Sequence, residues 1–526
     1  MGFASGAFTA PASAHAYLER TAPAATSILK ASPAAVTLTF DESVIAAKDA
    51  LQLYDDHLQR VELGPTGHPG GRGSEIQATV PSPLPKGTYT VTWRVTSADT
   101  HVVSGGFTFS VRKATPVTGT PASAKPDDGT TTAADVVRGL GYLALILGPG
   151  TIVVLLWLWP AGFADRRVRR LALGGCLLLA VVTLVGVYVQ GAQASGRSLT
   201  GAMSSSSLRL GFDGRYGRAS IERLVLLFLL LQTIVLGHYV PDRRRRAVLV
   251  SLVAALLAAT WPFAGHAAEG SLVPLSFVAD WVHVAAMATW LGGLVVLLGV
   301  VLREPAGEQT GALVADFSEW ALAAVSLIVA TGLFAAWRNV RSWGALPATG
   351  YGQLLIVKSA AVVLIVGIAW LSRRHVQRLA GEGNLGRLRA TVYAEAGVAV
   401  VVLSVTSVLT ATPLAHDVYA PAITRTATEG GVTVTVHVER PRVGSTTLVV
   451  STTQLSGAPQ RITHIDGSLT EADPPIGPLP IRFREVATGR EVATVAFSDE
   501  GDWQLQLDAR TSAINEIAVT TTIPIR

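Results

Sequence analysis

Between residues 135 and 413 the chain carries eight apolar runs, roughly 136–159, 171–192, 221–240, 247–265, 275–301, 317–337, 353–372 and 391–412. Each is long enough to cross a ~30 Å hydrocarbon core. Lipid offers no partner to a backbone amide or carbonyl, so runs of this length must fold as helices that satisfy themselves. Composition agrees: 49% of the 526 residues are hydrophobic, only 15% are charged, and mean hydropathy is +0.41, too apolar for an ordinary soluble protein. Loops holding Arg166, Arg167, Arg169 and Arg170, then Arg243 to Arg246, then Arg373, Arg374, Arg378, Arg387 and Arg389 alternate with loops poorer in positive charge. Placing the basic loops in the cytoplasm puts both chain termini outside a multi-pass bacterial cytoplasmic membrane. Arg197, Arg209, Arg215 and Arg218 in the second external loop weaken the bias without reversing it. The +5 formal charge thus speaks to orientation in a lipid bilayer, and nucleic acid is not an expected partner.

The flanking regions change period. Val36, Leu38 and Phe40 alternate with Thr37 and Thr39; Tyr89, Val91, Trp93 and Val95 alternate with Thr and Arg; Phe107, Phe109 and Val111 repeat the pattern. Such period-2 runs between Pro/Gly/Asp turns predict a β-sandwich over residues 15–112. Residues 113–134, rich in Pro, Thr and Ala, read as a linker into the 135–413 membrane domain. Val432, Val434, Val436 and Val438 alternate with Thr433, Thr435, His437 and Glu439, predicting a second β-sandwich over 414–526. The expected fold class is therefore an all-α eight-helix transmembrane bundle flanked by two extracytoplasmic all-β domains.

Ala12-Ser13-Ala14 is a small-residue cleavage signal standing directly before His15. The 14 residues before that site lack Lys and Arg and carry only a weak apolar stretch, so 1–14 reads as the remnant of a signal peptide. Cleavage after Ala14 would give His15 a free amine beside its imidazole. In a strand, residues i and i+2 point the same way, so Asp99 and His101 can share one ion. His15, Asp99 and His101 make a nitrogen-rich set with one oxygen, which suits tetragonal Cu(II) better than zinc. Cys176 is the only cysteine, which rules out an intrachain disulfide, and three methionines are too few for a Met-rich Cu(I) site.

The first domain resembles CopC, the periplasmic copper-binding β-sandwich, through His15, Leu38-Thr39-Phe40, Gly87 to Val95 (GTYTVTWRV) and Ser97-Ala98-Asp99-Thr100-His101. That resemblance implies Cu(II) ligation by His15, Asp99 and His101. The membrane region is similar to CopD through Gly265-His266-Ala267, Trp281 to Gly293 (WVHVAAMATWLGG), Phe317-Ser318, Thr331-Gly332-Leu333 and Tyr351 to Lys358 (YGQLLIVK). The tail, with Gly501-Asp502-Trp503 and Arg510-Thr511-Ser512, is similar to the YtkA-like domains behind some CopC–CopD fusions. The resemblance implies copper moving inward through the membrane domain.

Spacing supplies a second candidate. Asp280, His283, Met287 and Trp290 fall on one helical face. Ionisable groups in a bilayer are costly and face a protein interior or polar path. Imidazole suits copper generally and thioether suits Cu(I). His266, His283 and Met287 are therefore the expected copper acceptors in the outer half of the bundle. Lys358, Glu395 and His416-Asp417 are weaker candidates, the last reading most simply as a solvated loop; His57, His68, His437 and His464 read as exposed. No nucleotide-binding or hydrolase motif appears, so an enzyme is not expected. The expected function is Cu(II) capture outside, transfer to the membrane domain (as Cu(II) or Cu(I)) and import, with an extracytoplasmic copper chaperone as a partner besides copper and lipid. Two alternatives stay open: a copper sensor or buffer without transport, and a haem-bearing electron carrier using His266 and His283.

Overall fold

The computed structural model describes residues 16, 18–25, 27–97, 102–115, 128–236, 242–265, 267, 272–299, 308–378, 385–442, 444–471, 476–497, 501–511 and 516–525. The architecture is the expected one, helices in the middle and β-sheet domains at both ends. A helical unit runs from 126 to 418, and the β-strands lie outside it; each part is taken by itself.

In the N-terminal domain, strands Leu18–Ala22, Ala35–Phe40 and Glu75–Thr79 form one sheet. The other is built on the long hairpin Gly87–Ser97 and Val102–Val111, flanked by Leu51–Tyr54 and short strands. Val36, Leu38 and Phe40 of the first sheet pack with Tyr89, Val91, Trp93, Val95 and Phe109 of the second. Alternation along each strand thus delivers one apolar face to the shared core. Phe40 meets Trp93 edge-on at 5.3 Å, and Gly105 lies opposite Trp93 across the hairpin, where a side chain would strike the indole. The C-terminal domain repeats the plan. A five-stranded sheet holding Val432–Val438 packs against the four-stranded sheet of Ile476–Pro480, His464–Glu471, Gly501–Arg510 and Glu516–Ile525. Phe497 and Trp503 form its edge-on aromatic pair, also at 5.3 Å.

The helical unit comprises α1 (Asp128–Leu145), α2 (Thr151–Trp157), α3 (Arg166–Ser195), α4 (Ser205–Phe212), α5 (Gly214–Val235), α6 (Arg243–Phe263), α7 (Val273–Gly299), α8 (Glu308–Val340), α9 (Ala345–Ala348), α10 (Gly350–Arg378), α11 (Leu385–Leu409) and α12 (Ala415–Val418). Helices overlap each of the eight apolar runs read from the sequence. Among the described residues seven segments, one fewer than expected, qualify as membrane spans by length and composition: α1 with α2, then α3, α6, α7, α8, α10 and α11. The remaining one, α5, carries Arg215, Arg218, Glu222 and Arg223 in its first half. Helix α1 begins at Asp128, inside the stretch read as linker, with Thr130 already buried; linker residues 116–127 lie outside the described residues.

Local chemistry explains the ends. Asp165 and Asp242 cap α3 and α6 by accepting from the amides of Arg167 and Arg244. The arginines that follow oppose the helix dipole, so helix stability does not account for them. Between α1 and α2, Pro149 cannot donate a backbone hydrogen bond, and Ile146–Gly150 opens into a π-turn. Gly148 and Gly150 let that turn touch Gly175 of α3 and Ala288 of α7 directly; a side chain on Gly150 would run into the Ala288 carbonyl. Close backbone approach through small residues is how membrane helices pack tightly.

Candidate functional site

Helix starts meet helix ends across the bundle: Tyr216 of α5 lies against Gly186 of α3, Arg223 of α5 bonds Thr260 of α6, and Asn339 of α8 bonds Tyr351 of α10. Neighbours are therefore antiparallel, and the polar residues near these ends gather at one end of the bundle. His283, Thr331 and Lys358 stand ten, nine and eight residues inside α7, α8 and α10 from that end. At 1.5 Å per residue they share a depth of roughly 12–15 Å.

His283 is held in a defined way. Its Nδ1 stands 2.9 Å from Thr331 Oγ1. The Thr331 hydroxyl proton is already given to the Leu327 carbonyl at 2.6 Å, so towards the ring that oxygen can only accept. The imidazole proton is thereby assigned to Nδ1, and in the neutral ring Nε2 bears the lone pair. A histidine whose other N–H is anchored is the form that ligates metals. Asp280, one turn earlier, is within electrostatic range of Lys358, Tyr142 and Tyr351, and Lys358 is within range of His283. Met287, one turn later, is partly buried in the apolar cluster of Trp290, Leu291 and Phe317.

A second polar group lies beside this one. Arg223, 7% exposed, donates from Nε to Thr260 Oγ1 at 3.0 Å, and its guanidinium lies 3.8 Å over the Trp261 ring. Trp261 stacks in turn on Tyr142 at 6.2 Å. Arg138 pairs with Asp135 at 2.8 Å and reaches the Ser407 carbonyl at 3.0 Å. The interior of this half of the bundle is thus polar and aromatic, whereas the opposite half is filled by Leu155, Val168, Leu294 and Leu297.

Of the predicted site residues, the structure describes His283 and Met287; His15, Asp99, His101 and His266 lie outside the described residues. Among the described residues, no three His, Cys, Asp or Glu side chains are gathered as for a metal ion. Glu395 is buried, and His437 and His464 lie on exposed strand faces bonded to Thr424 and Asp466. His416 belongs to a helix rather than a loop. The anchor Thr331, together with Tyr142, Tyr351 and Arg223, received no role from sequence. Thr331 and Tyr351 stood in motifs read only for resemblance, and Arg223 stood at the edge of the run 221–240; it lies well inside the helix only because α5 starts earlier, at Gly214.

Three family descriptions match the chain: CopC domain over residues 18–112, Copper resistance protein D-like, N-terminal domain over 129–273, and Copper resistance protein D over 311–409. Copper transport protein CutJ of Bacillus subtilis is 28% identical over 531 residues, covering 96% of this chain and 95% of that protein. Copper resistance protein C of Pseudomonas syringae pv. tomato is 34% identical over 116 residues, 21% of this chain and 91% of that protein. Its counterpart in Xanthomonas campestris pv. juglandis is 32% identical over 109 residues, 20% and 85% respectively. Through its N-terminal domain the chain belongs to the CopC family, and it carries the copper-resistance-protein-D domains in the same polypeptide.

Proposed function

We propose that the chain captures Cu(II) outside the cytoplasmic membrane through His15, Asp99 and His101, and passes copper into the membrane domain for import. His283 is the central acceptor there, and His266 and Met287 are the further acceptors. The observation that carries this reading is the anchoring of His283 Nδ1 by Thr331, which turns Nε2 into a prepared ligand at the level of Asp280 and Lys358. Likeness to proteins named for copper transport and copper resistance supports the cargo and a non-enzymatic role. The division of labour follows the sequence: residues 15–112 capture, 135–413 conduct, and 414–526 form an external domain. Outward placement of both β-domains follows from the basic loops at the other end of the bundle. An external copper chaperone is the natural donor.

The test begins with N-terminal sequencing of membrane-extracted protein, with copper quantified and its EPR recorded on the same sample. A mature His15 terminus carrying one nitrogen-rich Cu(II) signal supports capture. Copper accumulation in proteoliposomes then tests passage. An intact Met1, or a His15 terminus that stays copper-free in added Cu(II), would sink the capture site; bound copper without flux would leave a buffer.

A further inference from the structure

Helices α7 and α8 meet a second time below His283. On α8, Phe317 stands two heptads from Thr331, which returns it to within about 40° of the same helix face. On α7, Gly293 stands ten residues beyond His283, roughly 15 Å deeper. These two positions touch: the Phe317 ring fills the space that a side chain on Gly293 would take. The seam that begins at the His283–Thr331 hydrogen bond of 2.9 Å is thus closed at its deeper end by an aromatic ring.

Met287, one turn below His283, packs against the cluster that holds Trp290, Leu294, Ala324 and Phe317. Its thioether can take Cu(I), whereas the side chains of that cluster are apolar and buried. An ion leaving His283 for the inner half of the bundle therefore meets a layer that cannot solvate it, and a bare charge in such surroundings is costly. Apolar constrictions of this kind close ion pathways by excluding water.

The seat of the ring supplies a second observation. A side chain on the adjacent Gly292 would strike the backbone of Gly150 and Thr151 at the π-turn. At these two residues α7 therefore bears Phe317 at one and the π-turn at the other. Paired glycines in mid-span are poor helix formers and mark places where helices bend. The ring thus rests on the most pliable point of α7, with the π-turn as a fulcrum beside it.

We infer that Phe317, seated on the Gly292-Gly293 pair, is the gate between the outer polar half of the bundle and its inner half. The inference rests on the reading of copper passing inward from His283.

The experiment uses the full chain in spheroplasts, with C176A so that an introduced cysteine is the only one. Ag+, a monovalent thiol-seeking cation, is added outside. Cysteines that it has not reached are then read by maleimide labelling of the denatured protein. M287C lies above the gate, and L297C lies one turn beyond Gly293. With Phe317 in place, L297C is expected to react about a hundredfold more slowly than M287C, the penalty for carrying a charge through an apolar layer. F317A is expected to bring the two rates to within about tenfold, and F317L, which keeps bulk without the ring, to fall between. An M287C rate unchanged by F317A shows that the outer half is still folded; if it changes, the comparison is decided in F317L. L297C reacting as fast as M287C in the parent, or staying protected once the ring is gone, overturns the gate. Copper uptake into proteoliposomes is the separate arm, and F317A should raise its initial rate. Unmasking of L297C without copper flux in either protein keeps the gate and removes copper as its cargo. Copper flux with L297C already reactive in the parent keeps the cargo and removes the gate.

Discussion

At the scale of single residues, two groups show how a neighbour sets what a side chain can do. Thr331 fixes the His283 proton on Nδ1 only because its own proton is committed to Leu327. Thr331→Val keeps the shape and removes the acceptor. With the external capture ligands removed, this variant is expected to hold copper roughly 10–100-fold more weakly at His283, measured by competition with a chelator. Retention unchanged from the parent would show that the anchor is only structural. Glu491, in the C-terminal domain, is 7% exposed and lies directly opposite Glu485 across an antiparallel strand pair. Burial first, and Glu485 second, push its carboxyl above the ordinary value. The folded domain therefore favours the protonated form. That stability is fully present below the ordinary carboxylate pKa and is lost as pH rises through the raised one. E491Q should slow hydrogen exchange in Arg490–Phe497 at neutral pH and leave it unchanged in acid. Equal exchange of the two proteins at both pH values would contradict this sign.

At the scale of elements, the π-turn of Ile146–Gly150 decides how closely three helices approach. Pro149 forces the opening, and Gly148 and Gly150 make it a contact surface against α3 and α7. Gly150→Ala would thrust a methyl into the Ala288 carbonyl, where backbone has no room to yield. A loss of at least about 2 kcal/mol is expected, read as a lower unfolding temperature in detergent. Gly174→Ala is the control, since a Cβ there meets nothing within 4 Å, and it should unfold at or above the parent temperature. Comparable losses in both variants would mean that the turn is not the clamp it resembles. Sequence shows the span and the proline that opens the turn, but which helices the turn meets, α3 and α7, is tertiary and no local pattern encodes it. The period-2 runs, by contrast, made Val36, Leu38 and Phe40 and Val432 to Val438 legible as inner faces, because strand alternation maps one-to-one onto burial. His416 was misread as a solvated loop residue because a single helical turn after Pro413 has no periodicity to detect.

At the scale of the whole molecule, capture and passage are separable in kinetics. Loss of H15 and H101 side chains (H15A with H101A) should raise the copper concentration for half-maximal uptake by more than about tenfold while sparing the maximal rate, because only encounter is impaired. H283A should instead cut the maximal rate. Radioactive copper uptake across a concentration series separates the two, and a fall in maximal rate for both would merge the sites into one step. Chain-wide organisation was the most legible level, since hydropathy and arginine placement act over many residues; the pairing of α7, α8 and α10 around His283 depended on which faces meet in three dimensions. One consequence of α5 concerns how the protein is made. An arginine at mid-span costs a nascent helix roughly 2.5–3.5 kcal/mol on entering the bilayer. Arg223 bonds the Thr260 hydroxyl and lies over the Trp261 ring, both on α6, which leaves the ribosome later. A third span carrying this arginine would be poorly equipped to be threaded alone, and pairing with α6 before entry, as a helical hairpin, would lower that cost.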